Sequence, residues 1–141
     1  MECKRNGDTL VIRLAPGEEL VEQVRLAAKQ AGLQAGSITG IGATNRFEVG
    51  IFNSQTHGYH ALPHEGFCEI ASLTGNLSTL NGEPYLHLHM AAADKDGKMY
   101  GGHLVWARIY PTAEIFIHAL PQPLGRKYNE EIGINELTMQ E

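Results

Sequence analysis

The spacing of apolar positions changes period once along this chain. Over residues 18–31, Leu20, Val21, Val24, Ala27, Ala28 and Ala31 recur three to four apart, the signature of one amphipathic helix. Acids in the first turn and Gly32 just past the last apolar position mark its two ends. Before it, residues 9–14 are β-branched and apolar and are closed by Pro16-Gly17, which predicts a strand. After it the chain turns to short β-type runs at 37–41, 47–52, 58–62, 68–74, 76–80, 85–93, 102–110 and 113–119. Asn81-Gly82 is a type I′ hairpin signal, and Asp96-Gly97 marks a second reversal. One helix followed by hairpin-linked strands predicts an α+β fold, with a largely antiparallel sheet of about seven strands and the helix packed on one face. Apolar periodicity stops near Pro121. The expectation is a single domain over 1–141, with a core at about 8–120 and a polar tail, 121–141, that docks loosely.

Composition narrows the class. A chain of 141 residues, 43% hydrophobic and 19% charged, is that of a folded domain and not a disordered one. Sixteen acidic residues stand against eleven basic ones, for a formal net charge of -5, so the basic stripe of a non-specific nucleic-acid binder is missing. Two cysteines, Cys3 and Cys68, make no disulfide framework, and no apolar leader follows Met1, so a reducing cytoplasm is the expected location. No apolar run approaches the roughly 18 residues of a membrane span, and neither terminus carries a lipidation signal.

The chemistry concentrates in Tyr85-Leu86-His87-Leu88-His89-Met90. Alternation along a strand puts His87 and His89 on one face, about 7 Å apart at a rise of roughly 3.3 Å per residue. His103 opens the next strand candidate, and the 94–97 turn would return that strand antiparallel beside the first. Taken alone, any one of these histidines reads better as an ordinary polar-face residue than as a ligand. Together they read as three neutral imidazoles that would suit a divalent ion, zinc first, with copper, iron or nickel as alternatives. Three protein ligands leave a fourth position open, as in catalytic sites, where bound water is acidified. Glu114 is the candidate acid/base, or an acceptor orienting a ligating histidine, with a solvated or interface carboxylate as the plainer alternative. Glu69 is the other strand-borne carboxylate. His57, His60, His64 and His118 read as surface residues and Cys68 as a buried thiol.

Two motif fragments fail. Gly40-Ile41-Gly42 opens like a dinucleotide fingerprint, but Asn45 stands where the third glycine belongs and a strand follows. Asp94-Lys95-Asp96-Gly97 opens like a calcium loop, but its glycine comes too early and Val105 occupies the position of the closing glutamate. Asn76-Leu77-Ser78 matches a glycosylation sequon, which has no bearing without secretion.

Five motifs in order, Pro16-Gly17-Glu18-Glu19-Leu20, Ala35-Gly36-Ser37-Ile38-Thr39-Gly40-Ile41-Gly42-Ala43, Glu69-Ile70-Ala71-Ser72-Leu73-Thr74-Gly75-Asn76, His87-Leu88-His89 and Gly101-Gly102-His103-Leu104, resemble the PPC domain conserved in plants and prokaryotes. The resemblance covers about residues 8–120, in the stand-alone prokaryotic form. It implies an α+β domain assembled as a homotrimer, with a metal held by His87, His89 and His103. In land plants the domain is fused to AT-hooks that read the DNA minor groove. This sequence contains no Arg-Gly-Arg-Pro core, and Gly66-Phe67-Cys68-Glu69-Ile70-Ala71 departs from the plant partner-recruiting motif Gly-Arg-Phe-Glu-Ile-Leu.

The leading expectation is therefore a homotrimeric metal-binding protein with a binding or regulatory role, DNA-binding by family resemblance alone. The alternatives are a metal-dependent hydrolase or lyase acting on a small metabolite, and a trimer that senses a small-molecule ligand without chemistry, for which the glycine-rich stretch 36–42 is the motivating feature.

Overall fold

A computed structural model describes residues 1–139. The elements run β1 (Glu2–Asn6), β2 (Thr9–Leu14), α1 (Leu20–Gln30), β3 (Gly36–Asn53), β4 (Gly58–Leu80), β5 (Glu83–Ala93), β6 (Met99–Ala119), β7 (Gly125–Asn129) and β8 (Ile134–Thr138). The fold is α+β, with one helix and an eight-stranded, mainly antiparallel sheet.

Four long strands close on one another: β3 pairs with β4, β4 with β5, β5 with β6, and β6 with β3, all antiparallel. The β1–β2 hairpin extends this ring from β6, and the β7–β8 hairpin extends it from β4. Several runs that read as separate strands in the sequence are continuous. Residues 37–41 and 47–52 both belong to β3, because register shifts at Gly40/Gly42 and Thr44/Arg46 bend the strand without ending it. Thr44 makes that bend tolerable in the interior: it is buried, and its hydroxyl donates to the Arg108 carbonyl at 2.7 Å.

Helix α1 starts where Glu19, the N-cap, turns its carboxylate back onto the N–H groups of Val21 and Glu22 at 3.0 and 2.7 Å. It ends at Gly32, whose φ of 66° supplies the left-handed residue, while Leu33 N–H bonds to the Ala28 carbonyl. Its inner face buries Leu20, Val24, Ala27 and Ala28. The helix packs on β2, β5 and β6, and the same core cluster holds Leu10, Ile12 and Leu14 of β2, Leu88 and Met90 of β5, and Ile115 and Ile117 of β6. Burying each large side chain of this set is worth about 1.5–3 kcal/mol. On β5 the apolar side chains that face the core leave His87 and His89 on the opposite face.

The last segment is more ordered than its polarity indicates. β7 and β8 form an antiparallel hairpin, joined to β4 by a parallel bridge between Thr79 and Gly125. Thr79 secures the join through its N–H and its hydroxyl, both donating to the Leu124 carbonyl at 2.8 and 3.1 Å. Among the described residues, no helix is long and apolar enough to cross a membrane.

Candidate functional site

Two close backbone approaches bring the histidines together. Gly75 on β4 lies so near β5 that a Cβ there would sit 1.9 Å from the His87 carbonyl oxygen. A Cβ at Gly102, just before His103, would lie 2.8 Å from the Gly50 carbonyl oxygen of β3. Glycine at both positions lets β5 and β6 settle at the depth where their histidines meet.

His89 and His103 are direct register partners across the two strands. The ring centroids of His87 and His89 are 5.3 Å apart, those of His87 and His103 5.2 Å, and those of His89 and His103 5.6 Å. One ring nitrogen from each lies within 4.8 Å of the other two. The three residues that strand alternation and the 94–97 turn single out are thus gathered at one point.

The surroundings of His87 and His103 favour neutral imidazole. Burial, with His87 and His89 nearby, pushes His103 down to about 4. Burial also lowers His87, helped by the positive charge of Arg126 and by His89. The Nδ1 atom of His103 is buried without a hydrogen-bond partner, an uncommon state for a buried polar atom. Tyr59 stacks on the His103 ring at 4.7 Å between centroids. His103, Tyr59 and Tyr85 also border a wide cleft of about 820 Å³ that reaches Val21 and Arg25 of α1.

The other candidates lie apart. Glu114 sits further along β6, paired in register with Arg13 and Ile41, and its exposed side chain lines a groove with Ser72 and Phe116. Glu69 is exposed on β4, opposite Ala93. His57, His60 and His118 are exposed, the last contacting the Thr9 hydroxyl at 2.9 Å. His64 is not a surface residue: it is half-buried, stacked on Phe47 at a centroid distance of 5.1 Å and tilted against Tyr100 at 4.3 Å, with its Nε2 3.3 Å from Cys68 Sγ. Its aromatic neighbours come from β3 and β6, too distant in sequence to show in a local pattern. Cys68 is fully buried, and burial with the Asp94 charge pushes its thiol up, away from the reactive thiolate.

Residues that sequence reasoning passed over complete the wall beside His87. Arg126 of β7 and Asn135 of β8 border the same small cavity as His87 and His103. Tyr128, Ile134 and Leu137 do not recur at a spacing of two, so no apolar alternation marks this hairpin in the sequence.

Known proteins share this arrangement of chain. A crystal structure of a "putative dna binding protein" from Bacteroides thetaiotaomicron superposes with a TM-score of 0.94 and 30% identity, covering 97% of this chain and 96% of its own. A metal-containing protein from Archaeoglobus fulgidus superposes at 0.86 with 28% identity, covering 94% of each chain. Two Synechococcus proteins named bifunctional protein GlmU are 35% and 34% identical over 129 and 132 residues, or 89% and 92% of this chain. The chain spans only 20% of the length of these curated relatives. A match to the Plants and Prokaryotes Conserved (PCC) domain covers residues 1–121, well over half of the chain and including β1 to β6 with all three histidines. The chain belongs to the Plants and Prokaryotes Conserved domain family.

Proposed function

We propose that this protein binds one divalent metal ion, zinc foremost, through His87, His89 and His103, and works as a homotrimer in a binding or regulatory role. The observation that carries the reading is the meeting of three imidazole nitrogens within 4.8 Å of one another. The ligands of a tetrahedral zinc ion with bonds of about 2.0–2.1 Å lie roughly 3.4 Å apart, so the rings need only turn inward. The chemistry of the donor set fits, because zinc takes neutral imidazole and the lowered proton affinities of His87 and His103 keep these rings unprotonated near pH 7. The unpartnered Nδ1 of His103 fits as well, since an ion or its bound water would satisfy a buried nitrogen. The Archaeoglobus relative, described as metal-containing, adds support from outside this chain.

The bound ion would supply a Lewis-acid position open to water or a ligand. The chain's own residues hold that position: Tyr59 fixes the His103 ring, and the backbone approaches at Gly75 and Gly102 set the spacing of the strands. Exposed apolar side chains on the sheet, among them Ile41 at 59% and Phe67 at 47% exposure, support the trimer, because such patches are ordinarily covered by a partner. Metal analysis of protein purified without a histidine tag, beside the His87→Ala/His89→Ala variant, tests the site. One equivalent in the parent chain and none in the variant is expected; equal content in both rejects it.

DNA binding is the second reading, brought to this chain by the Bacteroides relative. The net charge of -5 works against it. Mobility shifts that fade steeply with added salt would support it, and no shift at low salt would remove it.

A further inference from the structure

The C-terminal hairpin supplies a second polar wall facing the histidines. Tyr59, Tyr85, His87, His103, Arg126 and Asn135 border a cavity of about 160 Å³. Arg126 is held there firmly. Its Nε donates to Ser78 Oγ at 2.9 Å, Nη1 to the Asn135 carbonyl at 2.8 Å and Nη2 to Asn76 Oδ1 at 2.6 Å. The guanidinium carbon also lies 4.8 Å from the centre of the Tyr85 ring. Every one of these partners is neutral.

A guanidinium has five N–H groups, so these three bonds leave two, one on each terminal nitrogen. Among the described residues, no carboxylate pairs with Arg126. A half-buried cation without a counter-charge costs free energy that an anion in the cavity would recover.

The geometry points to a small carboxylate as the ligand of this cavity, its two oxygens on the remaining N–H groups of Arg126 and its other end against His87 and His103. A planar pair of oxygens matches two N–H groups on adjacent nitrogens, which is the usual reason for arginine at a carboxylate site. At about 160 Å³ the cavity has room for a small ligand beside Arg126. Phosphate is disfavoured because Arg126 is the one Lys or Arg among the lining residues and no helix N-terminus borders the cavity. The inference rests on the metal reading of the histidines only for its second attraction; the Arg126 contact stands without it.

Acetate titration of metal-free and zinc-loaded protein, followed through the Arg126 Nε–H resonance by ¹⁵N NMR, reads the contact in the unaltered chain. A saturable shift is expected. By calorimetry, Arg126→Gln should weaken acetate binding about tenfold, the scale of one charged hydrogen bond, and inorganic phosphate should bind the parent chain at least about tenfold more weakly than acetate. Because Arg126→Gln can also loosen the hairpin, the parent resonance decides by itself. No saturable shift in either metal state overturns the inference, as does phosphate binding as tightly as acetate. Zinc content of the same samples separates the two readings: a chain that takes no zinc yet shifts with acetate rejects the metal site and keeps the carboxylate site.

Discussion

His89 and His103 stand opposite each other across β5 and β6, their rings nearly perpendicular at 86°. His87 closes the triangle from two residues earlier on the same strand face, and burial, with the neighbouring charges, disfavours a proton on His87 and on His103. His103, held down to about 4 from an ordinary 6.5, binds protons more weakly in the folded chain than in the unfolded one. Stability of the metal-free protein is therefore complete above pH 6.5 and falls as pH drops toward 4. For a half-buried ring, screened by solvent, the loss should be on the order of 1–2 kcal/mol. Urea unfolding midpoints measured across that range check this, and His103→Ala should flatten the decline.

Gly75→Ala should damage the site from a neighbouring strand. Its Cβ would fall 1.9 Å from the His87 carbonyl oxygen and 2.9 Å from the Leu88 Cα, both backbone atoms of β5, so β4 and β5 must part. A loss of about 3 kcal/mol is expected for such overpacking. Denaturant titration measures it, and weakened zinc binding should accompany it, because His87 moves with its backbone.

Glu114→Gln should leave zinc content unchanged and stability within about 0.5 kcal/mol, as for surface substitutions generally. The side chain is exposed and lies in a groove apart from the histidines. Reduced zinc content in this variant would instead show that Glu114 supports the ligands.

Strand parity along 85–90 was enough to select His87 and His89, and the turn at Asp96-Gly97 was enough to bring His103 back beside them. Helix α1 was equally legible, because its apolar spacing and its Gly32 end are local properties. The continuity of β3, β4 and β6 was not: Gly42 and Thr44 look like strand breaks until a bulge and a buried hydroxyl bond carry the strand past them. Arg126 was hidden for a related reason. Its three hydrogen-bond partners include Asn76 and Ser78, about fifty residues earlier in the chain, and the polarity of the 121–139 segment gave no local sign that β4 would anchor it. β1, with all five residues exposed, carries no apolar alternation to read.

Anomalous diffraction at the zinc edge from crystals of zinc-loaded, tag-free protein tests the central claim most directly. One peak per chain is expected, about 2.0–2.1 Å from a ring nitrogen of each of His87, His89 and His103. A peak elsewhere, or none at this site from protein saturated with zinc, would contradict the account.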